Sequence, residues 1–196
     1  MVITGLTGNY GMGKSTVSRM FADLGAKIIN TDEIVRELLL QPGVINQISE
    51  TFGPESVTDG AVNKKELADA VFKFPHLRIS LENILHPLVF ENVDMQKKGI
   101  SESDPAAVVV IEAPVIFERG YQNRFDVIIT VFTTEDVAIK RLVAKGVSEQ
   151  EARSRFFSQM PIKEKILKSD FSIDNSSSLD VTKKQVQDIY LRLLSL

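Results

Sequence analysis

The chain has 196 residues, 43% of them hydrophobic, which is enough for one sizeable core with a small appended lobe and too few for two large independent domains. Its formal net charge is −3, so it offers no long-range attraction to nucleic acid or an anionic membrane, and an anionic ligand must be held by a local site. Cysteine is absent, which excludes a disulfide framework, a thiol nucleophile and a cysteine metal site.

The opening MVITGLTG carries neither a basic leader nor a small-residue cleavage site, and no run approaches the ~20 apolar residues of a membrane helix, so a soluble, cytoplasmic protein is the expectation. Residues 2–7 (VITGLT) read as a short buried strand. After a Gly-rich turn, Ser15 to Leu24 place Val17, Met20, Phe21 and Leu24 at the spacing of one helical face. Residues 26–30 (AKIIN) read as a second strand, with Thr31 and Asp32 where helix N-caps sit. The stretch 44–99 has helical periodicity broken by Gly53, Pro54, Gly60, Pro75 and Pro87, and reads as a helical insertion. Residues 106–112 (AAVVVIE) and 126–132 (DVIITVF) are apolar without alternation, the pattern of strands covered on both faces. A basic helical pair, 134–145 and 148–160, is a candidate lid; a last strand near 171–174 and a helix over 178–194 follow. The order predicts an α/β fold with a parallel sheet flanked by helices.

Gly8-Asn9-Tyr10-Gly11-Met12-Gly13-Lys14-Ser15 matches G-x-x-x-x-G-K-[ST] between a predicted strand and a predicted helix. The glycines let successive N–H groups point into one concavity; Lys14 reaches the β and γ phosphates and the Ser15 hydroxyl ligates Mg²⁺. Thr16 continues the first helical turn, whose dipole favours an anion. A Gly-rich turn without a ligand gives no reason for Lys14 and Ser15 at the helix start. A dinucleotide fingerprint requires G-x-G-x-x-G, which the order Gly8, Gly11, Gly13 does not supply. The nearest approach to a guanine-reading N-K-x-D is Asn63-Lys64-Lys65-Glu66, with Glu for Asp at the start of a helical stretch. A strand ending in the single acid Glu112 and a short chain point away from motor ATPases and towards a compact metabolite kinase.

Over nearly its whole length the chain resembles the dephospho-coenzyme A kinase family. The resemblance rests on GLTGNYGMGKSTV (5–17), IINTDEIVRELL (28–39), FG (52–53), DGAVNKKEL (59–67), LHPLV (85–89), EAPVIFERG (112–120), RLVAK (141–145), RFFSQM (155–160) and SDFSIDN (169–175). It implies a P-loop NTPase-like core at 1–43, 106–133 and 167–196, an acceptor-binding helical insertion at 44–105 and a lid at 134–166. It also implies transfer of the γ-phosphoryl of ATP to the ribose 3′-hydroxyl of dephospho-CoA, with Mg²⁺ as cofactor. Nucleic acid and membrane are not expected partners, and a monomer is favoured. A kinase of nucleoside monophosphates or another small hydroxyl compound shares the cradle and differs in the insertion. An ATP-dependent switch without productive transfer is the alternative from a different class.

The resemblance places Asp32 as the base that accepts the acceptor's proton; read from the residues alone, Asp32 caps the following helix equally well. Glu112 stands where the family usually has Asp, and holds Mg²⁺ through water, orients the acceptor, or is a solvated carboxylate at a strand end. The loop residues Gly8, Asn9, Gly11, Met12, Gly13, Lys14, Ser15 and Thr16 are assigned to ATP, with Asn9, Tyr10 and Met12 acting through backbone N–H groups where the family has small residues. Arg141 is assigned to phosphate charge and to the adenine, with Asn175 beside the same base. Arg155 is a weaker candidate, while Arg153 and Lys145 read as solvated, Lys145 standing for a second lid Arg. Lys65, or its neighbour Lys64, replaces another Arg and is assigned with His86 to the acceptor. His86 on residue grounds is equally a packed histidine.

Overall fold

The five stretches read as strands become five parallel strands in the computed structural model, which describes residues 1–196. In chain order the elements are β1 (Val2–Thr7), α1 (Lys14–Asp23), β2 (Lys27–Asn30), α2 (Thr31–Leu38), α3 (Pro42–Phe52), β3 (Val57–Thr58), β4 (Ala61–Val62), α4 (Lys64–Lys73) and α5 (Pro75–Ser103). They continue with β5 (Val108–Glu112), β6 (Val127–Phe132), α6 (Glu135–Val143), α7 (Glu149–Phe157), α8 (Ile162–Lys168), β7 (Phe171–Asp174) and α9 (Leu179–Leu193).

Met1–Asn30 and Gly99–Leu196 form one compact unit, built on a sheet in the order β2-β5-β1-β6-β7. β1 is central, buried on both faces from Ile3 to Thr7, and it pairs in register with β5 (Leu6 beside Glu112) and β6 (Thr7 beside Thr130). Two aspartates finish the ladder at the opposite end. Asp126 Oδ2 accepts from Ile3 N at 2.8 Å and Asp170 Oδ2 from Ile128 N at 2.8 Å, so these peptide groups stay paired where the strands begin. One core layer joins Val17 and Phe21 of α1 to Val186, Ile189 and Leu193 of α9 over the sheet. A second joins Met12 to Ile139 and Leu142 of α6 and to Ala152 and Phe156 of α7. The segment read as a lid therefore shares a core with the glycine-rich loop.

Thr31–Lys98 forms the other compact unit. It takes in α2, which the sequence reading gave to the core, and ends before the 99–105 stretch given to the insertion. Its periodicity is not wholly helical: β3 and β4 form an antiparallel hairpin. The two-residue loop Asp59-Gly60 holds positive φ at both positions (52° and 75°), the conformation Asp-Gly favours in tight hairpins. α4 begins on Asn63, whose Oδ1 accepts from Glu66 N at 3.2 Å. Pro87, expected to break the stretch, lies inside the 29-residue α5. A proline removes one ladder bond, and here Leu85, Val89 and Val93 keep the same buried face on both sides of it.

Two further expectations are corrected. The helix predicted over 148–160 ends at Phe157, because Pro161 disfavours helical geometry at Met160, and the separate helix α8 follows. Thr31 and Asp32 are not caps: both lie inside the first turn of α2. No helix is long and apolar enough to cross a membrane.

Candidate active site

The site grows from the end of β1. Gly8 to Gly13 turn the chain back on itself, and Gly13, at φ 93° and ψ 26°, delivers it into α1 in the left-handed conformation. A Cβ there would collide with Asn175 Nδ2, so the glycine is required by space as well as by φ. The first turn of α1 has no acidic residue and no side-chain cap, which leaves its positive end for an anion.

Lys14 Nζ donates to Gly8 O at 2.8 Å and reaches Asn9 O at 3.5 Å, so the ammonium spans the loop. Ser15 Oγ donates to Glu112 Oε1 at 2.9 Å. Glu112 is 3% exposed, and its register beside Leu6 and Asn30 sets it between β1 and β2 at the carboxyl edge of the sheet. A solvated strand-end carboxylate does not describe it. No group of three or more His, Cys, Asp or Glu residues is placed to hold a metal ion. The Ser15 hydroxyl and the Glu112 carboxylate are hard oxygen donors, the kind of group that would suit Mg²⁺.

Asn175 and Arg141 close the other side. Asn175 Nδ2 donates to Met12 O at 2.9 Å, and its Oδ1 accepts from Thr182 Oγ1 at 3.2 Å. Arg141 Nη2 donates to Asn175 O at 3.0 Å, while Nη1 is buried without a partner, 3.6 Å from the position of a Gly13 Cβ. A buried guanidinium donor left unpaired is uncommon in a folded protein, and this one lies beside the loop.

Asn9, Tyr10 and Met12 are each engaged within the protein. Asn9 uses its side chain: Nδ2 donates to Met160 O at 3.1 Å. The Tyr10 N–H is taken by Gln159 Oε1 at 2.7 Å, and the Met12 N–H by Asn9 O at 3.2 Å. Met12 itself is fully buried in the core shared with α6. Thr16 N–H closes on Gly13 O at 3.0 Å as the helix begins.

Arg155 lies with its guanidinium 5.3 Å from the centre of the Tyr10 ring and pairs with Glu151 at 2.7 Å, which places it at the loop. Arg153 is committed to Glu135 at 2.8 Å and Glu149 at 2.9 Å, and its hydrogen bond with Glu149 raises its pKa. Lys145 is exposed in the turn after α6. Asp32, Lys65 and His86 belong to the other unit, on three separate elements. Asp32 is exposed in the first turn of α2, where its carbonyl accepts from Arg36 Nε at 3.2 Å. Lys64 and Lys65 open α4 and are exposed. His86 is half-buried in α5, edge-on to Phe90 at 6.4 Å.

Sequence reasoning passed over Gln159, Glu118 and Lys165. Lys165 is fully buried; burial lowers its pKa, opposed by its hydrogen bond and charge interaction with Glu118. RFFSQM and EAPVIFERG contain two of these residues, but no spacing pattern marks any of them.

The sequence model of the dephospho-CoA kinases (CoaE) matches residues 2–180. A dephospho-CoA kinase of Syntrophotalea carbinolica is 38% identical over 198 aligned residues, covering 99% of this chain and 93% of that one. Among solved structures, the protein TT1252 of Thermus thermophilus superposes with a TM-score of 0.85 at 27% identity, over 98% of this chain and 97% of the other. A dephospho-CoA kinase from Campylobacter jejuni superposes with a TM-score of 0.70 at 25% identity, over 98% and 96%. With a family match over most of its length and a glycine loop, lysine and serine arranged as a phosphate cradle, the chain belongs to the dephospho-CoA kinase family.

Proposed function

We propose that the chain passes the γ-phosphoryl group of ATP to the ribose 3′-hydroxyl of dephospho-CoA, with Lys14, Ser15, Arg141 and Asp32 as the residues that carry the transfer. The observation behind the reading is the cradle itself: Lys14 across the loop, Ser15 on the buried Glu112, and the unpaired Arg141 Nη1 at its rim. In this reading the loop and the positive end of α1 hold the phosphates, and Lys14 draws charge from the β and γ groups. Ser15 binds Mg²⁺, and Glu112 orients that ligand set through the Ser15 hydroxyl; the ion neutralises phosphate charge when bound. Arg141 offsets charge on the transferring group, and Asn175 fixes Arg141 through its carbonyl.

Asp32 accepts the proton of the acceptor hydroxyl. Its support is its place two residues beyond the carboxyl end of β2, at the position of the family's acidic motif, and its exposure to a substrate. The acceptor is received by the unit Thr31–Lys98, through Lys65 and His86, and residues 134–166 act as the lid. The reading needs one chain, a monomer. Asp32→Asn tests it: turnover should fall by ~10²–10⁴ while ATP binding is kept. Native turnover in that variant would return Asp32 to a helix-terminal role.

A further inference from the structure

A glycine-rich loop has little stiffness of its own, yet a phosphate cradle works only if its shape is set before the nucleotide arrives. The segment after α7 supplies two fastenings: Gln159 Oε1 on the Tyr10 N–H at 2.7 Å and Met160 O on Asn9 Nδ2 at 3.1 Å. That segment is held in turn from its far side. Met160 N–H donates to Glu118 Oε1 at 3.1 Å, and the same oxygen meets Lys165 Nζ at 2.7 Å. Lys165 spends a second bond on Pro114 O at 2.9 Å, and Pro114 O also accepts from Thr7 Oγ1 at 3.2 Å. Thr7 is the last residue of β1, directly before the loop, so the bonds form a closed ring through β1, the stretch after β5, α8, the α7–α8 connection and the loop.

Every link lies within one compact unit, and each joins parts far apart in sequence. A buried ion pair is a costly way to gain stability alone, since apolar residues of similar size do as well. Its geometry here serves placement: Glu118 Oε1 takes both the Met160 peptide and the Lys165 ammonium, fixing where Gln159 stands. We propose that Gln159, Glu118 and Lys165 are positioning residues that hold the phosphate loop in its nucleotide-receiving shape through this ring of hydrogen bonds. The inference rests on the loop's being the ATP site.

The test is steady-state kinetics of Gln159→Met and Lys165→Met, with KM measured separately for ATP and dephospho-CoA and folding checked by circular dichroism. Loss of the acceptor for the Tyr10 N–H should raise the KM for ATP about tenfold, the scale of an unsatisfied peptide group, while the KM for dephospho-CoA stays within about twofold. A folded Gln159→Met protein with a native KM for ATP overturns the proposal, as does an equal rise in both KM values. If Lys165→Met does not fold, Gln159→Met, which deletes one acceptor from a half-buried side chain, decides alone. Lys14→Ala separates the two levels. Loss of ATP binding in it with a native Gln159→Met sinks only the ring, whereas native ATP binding in Lys14→Ala overturns the loop's role and the ring with it.

Discussion

At the scale of single residues, the cradle rests on two features that tolerate little change. Gly13 combines a left-handed backbone with direct contact to Asn175, so Gly13→Ala should cost ~1–2 kcal/mol in backbone strain alone and displace the Asn175–Met12 bond. The check is a weakened ATP affinity together with a lowered denaturation midpoint; an alanine protein native in both would show the loop to be more yielding than its contacts imply. Arg141 divides its fork, Nη2 to Asn175 O and Nη1 towards the loop. Lysine keeps the charge but not the two directions, so Arg141→Lys should raise the KM for ATP by about tenfold, one hydrogen bond to a charged group. An unchanged KM for ATP would remove Arg141 from the nucleotide site. The glycines, Lys14 and Ser15 were legible because their chemistry demands fixed spacing within one loop. Gln159 was not, because its bond to Tyr10 spans 149 residues and any acceptor of that length would serve. Nor was the burial of Met12: a side chain read as a bystander to its own N–H fills the core under α6.

At the scale of elements, apolar periodicity identified the strands that carry the site, since parallel strands covered on both faces are continuous apolar runs. It failed where local chemistry competed with it. The Asp59-Gly60 turn makes a hairpin within a stretch read as helical, and Pro87 is carried inside α5 by packing on both sides. α8 escaped notice, although its Lys165 joins it to the stretch after β5. Burial holds the Lys165 pKa below its ordinary value of 10.5, so in the range between the two values the unfolded chain binds this proton and the folded one releases it. Where the unfolded state binds more protons, stability rises with pH. The native protein should therefore gain stability relative to Lys165→Met as pH climbs from neutral towards 10.5, read from denaturant titrations at matched pH. A constant or shrinking difference would mean that Glu118 compensates the buried charge fully. At neutral pH, Lys165→Met leaves Glu118 short of its partner, and the loss should sit near the low end of the ~3–5 kcal/mol typical of a broken buried pair, because Glu118 is 18% exposed.

At the scale of the whole molecule, a chain of net charge −3 handles a polyanionic nucleotide and an anionic acceptor, so attraction has to be local. The loop, the uncapped amino end of α1 and Arg141 lie in one unit, while the exposed Lys64 and Lys65 stand on the other. The helical insertion read over 44–105 and the compact unit Thr31–Lys98 do not share their boundaries. α2 follows β2 without an intervening residue, so no turn signal marks where one unit ends at Asn30 and the other begins at Thr31. The most direct test of the account is ADP production from ATP and Mg²⁺ by the purified protein, comparing dephospho-CoA with AMP, other nucleoside monophosphates and no acceptor, with the product identified by mass. The account predicts CoA, formed only with dephospho-CoA. Equal turnover without an acceptor, or a preference for a nucleoside monophosphate, would contradict it.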